Sequence, residues 1–445
     1  MIKPASRIIA PPVLMLLALL GGCTLRAAHE EPASSPVWSQ GPAPQLPPPT
    51  TSLIPTLQIA SATPWPAGLT PVPAPHLRVQ AFASGLQHPR WLHVLPNGDV
   101  LVAETNAPRR PGDGKGIKGA IMKVVQRWAG AGTPTTNRIK LLRDADGDGV
   151  AEVASVLLDG LNSPFGIELV GSTLYVANTD SIIGFPYQEG QLRIEAAGTR
   201  LTDLPAGPIN HHWTKNIIAS RDGRHMYATV GSNSNIAENG FAQEEGRAAI
   251  WEIDLATGAK RIYATGLRNP NGLAWEPTTG ALWTVVNERD ELGNDLVPDY
   301  LTSVRDGAFY GWPYSYYGQH VDKRVKPRNP SLVATAITPD FALGAHVAPL
   351  GLAAAGATAL GSFSNGMFVA EHGSWNRKPL VGYKVVFIAF ANGRPTGLPV
   401  DVLRGFVSAT GKAWGRPVGL ALDQRGALLV ADDVGNSIWR VVSAP

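Results

Sequence analysis

Two adjacent histidines are the first residues in this chain whose types suit chemistry. Asn210-His211-His212-Trp213-Thr214-Lys215-Asn216 leads into the apolar stretch Ile217-Ile218-Ala219. Imidazole is the side chain whose ordinary pKa suits proton transfer near neutrality. On an extended chain neighbouring side chains point to opposite faces, so only one of the two would face a given site. The competing reading is a hydrogen-bonded structural pair. Cations recur further on. Gly266-Leu267-Arg268-Asn269-Pro270-Asn271-Gly272 is a polar turn, Glu371-His372-Gly373-Ser374-Trp375-Asn376-Arg377-Lys378 is a donor-rich loop, and Arg416 precedes Pro417. A guanidinium presents a planar fork that pairs with carboxylates. If Arg268, Arg377, Lys384 and Arg416 converge, they suit a small polycarboxylate. An arginine that only bridges two structural units is the plainer alternative for each.

Two acidic stretches suit a hard cation. Asp144-Ala145-Asp146-Gly147-Asp148-Gly149 alternates carboxylates around a glycine turn, as calcium loops do. The twelfth position of a full EF-hand loop would be Ser155, and Glu152 stands at the ninth. The loop therefore reads either as a structural Ca²⁺ site or as a polar hairpin turn. Asn287-Glu288-Arg289-Asp290-Glu291 and the residues to Asp295 form a second acidic turn. Tyr310-Gly311-Trp312-Pro313-Tyr314 follows it, an aromatic cluster able to stack on a planar ring.

These motifs need a scaffold, and the sequence supplies one by repetition. A Pro or Gly turn, an apolar strand, a turn and a second apolar strand ending in a polar residue recur six times. The copies run from His88 to Glu104, Ser163 to Asn178, Asn216 to Val230, Asn269 to Asn287, Pro349 to Glu371 and Arg416 to Asp432. Degenerate repetition of this kind predicts an all-β chain folded as a six-bladed β-propeller, with the chemistry at one mouth of its central channel. A chain of 445 residues with 44% hydrophobic residues can build that core, and 48 glycines and 38 prolines fit its many turns. The 12 tryptophans suit wedges between blades. The formal net charge of +3 and the lack of any Lys/Arg run argue against a nucleic-acid partner.

The single cysteine, Cys23, excludes a disulfide framework. Lys3 and Arg7 precede an apolar run, Val13 to Leu20, too short to span a bilayer. Leu20-Gly21-Gly22-Cys23 then resembles a bacterial lipoprotein box. Residues 1–23 are thus expected to be a lipoprotein signal peptide ending at lipidated Cys23, and an ordinary signal peptide is the alternative. The implied location is the cell envelope, facing the periplasm or on the outer membrane in a Gram-negative cell, with the membrane touched only through the lipid anchor. Residues 24–76 are rich in Pro, Ala, Ser and Thr and are expected to be a disordered tether. The propeller is then expected over 77–445.

Together the motifs resemble the quinoprotein sugar dehydrogenases, including the soluble glucose and aldose sugar dehydrogenases and especially the sorbosone dehydrogenase branch. The resemblance runs from about residue 78 to the end of the chain. It rests on His211-His212, Leu267 to Gly272, Gly311-Trp312-Pro313, His372 to Arg377 and Gly415-Arg416-Pro417. It implies a six-bladed propeller that binds pyrroloquinoline quinone (PQQ), a planar tricarboxylate, together with Ca²⁺. It implies His212 as general base, with Ser220-Arg221-Asp222-Gly223 as the turn after its strand, and Arg268 stabilising charge on the quinone. Asn269, His372, Arg416 and either Arg377 or Lys384 would bind the cofactor, and the backbone carbonyls of Arg289 and Asp290 would hold its Ca²⁺. The substrate would be an aldose or related polyhydroxy aldehyde, oxidised to a lactone or acid. Electrons would pass to a respiratory quinone or cytochrome. A Ca²⁺-dependent lactonase on the same scaffold would need convergent carboxylates where this chain has cations. A non-catalytic surface propeller would leave the histidines and cations without a purpose.

Overall fold

The computed structural model describes residues 32–50, 56–108, 130, 135–356 and 358–444. Each of the six repeats supplies the inner two strands of a four-stranded antiparallel sheet, and the six sheets are the blades of a propeller. Blade one comprises Pro89–Val94, Val100–Glu104, Arg138–Arg143 and Val153–Leu158. Blade two comprises Ile167–Val170, Thr173–Ala177, Ser181–Pro186 and Thr199–Asp203. Blade three is Ile217–Ala219, His225–Val230, Ala249–Asp254 and Lys260–Thr265. Blade four is Pro270–Trp275, Leu282–Val286, Pro298–Val304 and Phe341–Ala345. In blade five, Pro349–Ala354, Gly366–Glu371, Lys384–Ala391 and Arg394–Arg404 are joined at the edge by Val72–Pro73. Blade six takes Pro417–Leu422, Leu428–Asp432 and Ser437–Ser443 from the end of the chain, and its outermost strand, Leu77–Ala83, from the beginning. Val79 lies opposite Val441 in that pairing, so the two ends of the domain close the ring. Among the described residues the α-helix is a single turn, Pro330–Val333, capped by the Asn329 side chain.

Four of the six repeats carry a glycine two residues after the proline that opens the inner strand, and the packing shows why. Inner strands of successive blades lie side by side around the channel. A Cβ on Gly166 would come within 2.5 Å of the Ile217 backbone nitrogen in the next blade, and one on Gly272 within 2.7 Å of the Leu350 carbonyl. One on Gly351 would collide with the Val418 carbonyl, and one on Gly419 would stand 2.7 Å from that of Arg90. The repeated glycine is thus a contact between neighbours. Aromatic rings fill the wider gaps between blades. Phe165 sits between Trp91 and Trp213, with centroids 4.8 and 6.0 Å away, and Trp283 meets Phe390 edge-on at 5.0 Å.

The segment expected to be a free tether is packed over residues 32–50 and 56–76. Gly41 bridges Ala342 at the edge of blade four, and the Thr50 N–H donates to the Leu292 carbonyl. Further on, Gln58 N–H donates to Trp375 O and Thr63 N–H to Ala413 O. Trp65 then packs against Phe406, Trp414 and Trp439, with centroids 5.3–5.8 Å away. Its indole N–H donates to Asp432 Oδ2 at 2.9 Å. The prolines do exclude long strands and helices here. They do not prevent one aromatic anchor and a few backbone hydrogen bonds from fixing an irregular strap. Cys23 and the apolar run before it lie outside the described residues.

Candidate active site

The turn that opens each inner strand and the residue that ends the second strand meet at one face of the ring. Pro89 pairs with Glu104, Pro270 with Val286, Pro349 with Glu371 and Pro417 with Asp432, each followed by a register shift in the inner strand. Such shifts re-aim side chains at strand ends. They bring the polar ends of the repeats together around one mouth of the channel.

On the blade three side, His212 follows a bend, not an extended run. Its ring meets that of His211 edge-on, with centroids 4.7 Å apart, so the two histidines do not face opposite ways as expected. His212 Nδ1 lies 2.8 Å from the Ser232 carbonyl oxygen and 3.0 Å from Ser232 Oγ, while that hydroxyl donates to Ser234 O. The carbonyl can only accept, so Nδ1 carries the proton and Nε2 keeps its lone pair. Burial first, then the charges of His211 and Arg268, hold its pKa well below the ordinary 6.5. The imidazole is therefore neutral and able to accept a proton at pH 7. Asp222, expected in the turn after the strand, caps a hairpin at the strand's other end with Ser220. It takes no part here.

Arg268 stands beside it. Ser232 N–H donates to the Arg268 carbonyl, and a Cβ on Gly231 would meet both His212 Cβ, at 2.5 Å, and Asn269 Oδ1. Only glycine lets blades three and four approach so closely. The Arg268 guanidinium donates to Glu288 O at 2.7 Å, to Asn235 Oδ1 at 3.1 Å and to Asp290 Oδ2 at 3.0 Å. Asp290 Oδ1 accepts from Asn376 at 2.7 Å and lies 3.6 Å from His346 Nδ1. Burial alone would raise the Asp290 pKa, but Arg268, His346 and Asn376 hold the carboxyl well below its ordinary range.

Asn376 belongs to the donor-rich loop, and that loop carries the arc of polar groups round to blades five, six and one. There Asp433 is the centre. Its Oδ2 accepts from Arg90 at 2.6 Å and from His372 Nε2 at 3.0 Å, with His88 Nε2 at 3.7 Å. Burial would raise its pKa, but its contacts with His372, His88 and Arg90 hold it far below the ordinary value. Arg416 lies with its guanidinium 4.7 Å from the centre of the Tyr383 ring and donates to Ala60 O of the strap at 3.3 Å. Its backbone N–H donates to Asp432 Oδ1.

The expected group of four cations is thus corrected. Arg268 and Arg416 stand on the mouth. Arg377 turns into blade four, paired with Asp295 at 2.8 Å and bonded to Asn294 O. Lys384 opens the third strand of blade five and pairs with Asp401 at 2.7 Å on the outer flank. Arg90 takes their place. It occupies the position after the repeated proline, where the corresponding residues of four other repeats are Phe165, Asn271, Leu350 and Val418. A charge in that otherwise largely apolar column was its sequence signal.

The acidic turn is corrected in part. Arg289 is buried against Asp322 at 3.1 Å, and the Asp290 carbonyl accepts from Asn235 Nδ2 at 3.3 Å. What Asp290 offers the mouth is its carboxylate. Asp144, Asp146, Asp148 and Glu152 each present an oxygen within 4.8 Å of the others, on the outer hairpin of blade one. Tyr310 and Trp312 are packing residues, bonded to Ser303 O and Asn235 O, and Tyr314 stacks on Phe241.

Several buried polar atoms round the mouth have no protein partner, among them Arg268 Nε, Asn269 Oδ1, Asn271 Nδ2, Arg416 Nε and Asp433 Oδ1. Polar atoms buried and unbonded are costly, so their clustering fits a polar ligand.

The TrAA12-like family model matches residues 133–300 and 320–444. A pyrroloquinoline quinone-dependent pyranose dehydrogenase of Coprinopsis cinerea is 24% identical over 355 residues, covering 70% of this chain. The chain spans under half of that protein, 44% of its length. The aldose sugar dehydrogenase YliI of Escherichia coli is 26% identical over 284 residues, 60% of this chain and 68% of that one. Among solved structures, the holo PQQ domain of the Coprinopsis pyranose dehydrogenase superposes with a TM-score of 0.67 at 21% identity. The match covers 86% of this chain and all of that domain, and it shows a shared propeller fold.

Proposed function

The chain belongs to the TrAA12-like family, and on that premise we propose that it is a PQQ-dependent dehydrogenase oxidising a sugar at a C–OH carbon. The observation that carries this reading is His212, a half-buried neutral imidazole whose Nδ1 is fixed by Ser232 beside the Arg268 fork. Names borne by relatives support the cofactor and the substrate class. When bound, PQQ supplies an electrophilic quinone that accepts a hydride equivalent from the substrate carbon.

The residues of the mouth fit such a group. Arg416 and Arg90 offer cationic forks to its carboxylates, with His372 at their side, and Asn269 stands across the mouth next to His212. Arg268 lies where its positive charge stabilises a developing oxyanion. Asp290, its two carboxylate oxygens taken by Arg268 and Asn376, aims the Arg268 fork, and Ca²⁺ would be held by backbone carbonyls of the same turn. His212 Nε2 takes the proton of the substrate hydroxyl, while the Ser232 carbonyl steadies the imidazolium through Nδ1–H. We read the substrate as an aldose or sorbosone-like polyhydroxy aldehyde, and the electron acceptor as a respiratory quinone or cytochrome. A lipid anchor on Cys23 would keep the enzyme beside that acceptor.

The test is a titration of purified protein with PQQ and Ca²⁺, followed by aldoses, read by absorbance. Substrate should drive the bound cofactor to its reduced spectrum, and dye reduction should depend on PQQ. Turnover with NAD alone, or no spectral change with any sugar, would sink the reading.

A further inference from the structure

The flank between blades four and five exposes more large apolar surface than its surroundings. Val37 is 66% exposed and Trp38 41%, and on the edge strand of blade five Leu398 is 43% and Val400 50% exposed. The two pairs belong to one patch. A Cβ on Gly41 would lie 3.7 Å from Leu398 Cδ2, and Val37, Leu398 and Val400 line one open cavity with Lys384 and Arg404. Contiguous exposed apolar side chains mark an interaction surface.

Where the chain enters the fold identifies the occupant. Ala33 packs against the core of these blades, Ser35 is buried and Ser34 lines the same cavity. Residues 24–31 alone separate Cys23 from the described chain, a span of roughly 30 Å at full extension. The strap leaves no longer tether, because residues 32–50 and 56–76 are fixed to the propeller. We propose that this flank rests on a lipid bilayer, with Trp38, Val37, Leu398 and Val400 at the headgroup boundary. Trp is the residue that favours that boundary, and aliphatic side chains enter it. This rests on Cys23 being lipidated, since that modification holds the flank within reach of the membrane.

The patch can be tested without the lipid. The Cys23→Ser protein is mixed with vesicles of phosphatidylethanolamine and phosphatidylglycerol and sedimented. It should pellet in part, and Val37→Ser, Trp38→Ser, Leu398→Ser and Val400→Ser together should lower the bound fraction about tenfold. Trp38→Ser and Leu398→Lys singly carry the same comparison if the fourfold variant does not fold. No pelleting of Cys23→Ser, or equal pelleting with and without the patch, overturns the proposal. So does concentration-dependent dimerisation through these four side chains, which would give the patch to a second copy. Membrane fractionation of the protein with Cys23 intact tests the anchor separately.

Discussion

At the scale of single residues, the proposed base His212 and its neighbour His211 should respond differently to substitution. His212→Ala should lower turnover by roughly 100-fold, the usual scale for a lost general base, and leave PQQ binding intact in a titration. The pH profile carries more information. A base held below 6.5 by burial and neighbouring charge stays neutral as the pH falls through 6.5, so kcat/KM should stay flat there and drop only at more acid pH. His211 adds to that depression through its contact with His212. His211→Ala should therefore move the acid limb to higher pH with little change in the plateau rate. A pH profile of both variants with a dye acceptor checks this, and an unmoved limb in His211→Ala would refute the coupling. Arg416 and Arg377 form a second contrast. Arg416→Ala should weaken PQQ binding about tenfold or more, since a charge-assisted bond is worth about 1.5–3 kcal/mol. Arg377→Ala should leave PQQ affinity within about twofold and instead lower the melting temperature, because its partners are Asp295 and Asn294. Equal losses of affinity in the two would place Arg377 back on the mouth.

What the sequence revealed at this scale depended on distance along the chain. His212 announced itself because an unusual pair precedes a strand within a few residues. The Asp433 cluster did not, because Asp433 meets Arg90 from 343 positions away and His372 from 61. Only the closed ring brings such partners together. Lys384 misled for a related reason. Its place in a donor-rich stretch suggested the mouth, and its backbone does lie opposite Glu371, but its ammonium turns outward to Asp401 on the flank.

At the scale of elements, the inner strands and the strap hold the mouth in shape. The repeat was legible because each blade's inner pair is local, joined by a short hairpin, and because its apolar residues and glycine recur. Gly351→Ala should destabilise the protein by about 1–3 kcal/mol or more, since the added methyl meets a backbone carbonyl that has nowhere to move. A denaturant midpoint shifted to lower concentration with an unchanged slope is the expected readout. The strap was not legible, because prolines speak only against regular structure and say nothing of tertiary anchoring. Trp65 supplies that anchoring through three aromatic rings and the buried Asp432 carboxylate, whose other oxygen accepts from the Arg416 backbone. Trp65→Phe keeps much of the packing but removes the indole donor. It should lower PQQ affinity more than it lowers the melting temperature, as measured by a PQQ titration beside thermal unfolding. An affinity equal to wild type would show that the strap is packing alone.

At the scale of the whole molecule, the ring is closed by strands from opposite ends of the domain. Leu77–Ala83 completes blade six only by pairing with Ser437–Ser443. The consequence concerns time. During synthesis or export the first strand emerges with its edge bare and must wait for the last to arrive, so the ring cannot seal until nearly the whole domain has been delivered. Contacts of such long sequence separation form late and leave open edges in the interim. A chain stalled or clipped before Ser437 would therefore carry five blades able to form, a sixth without its third strand, and an unsealed mouth whose arginines have lost the frame that aims them.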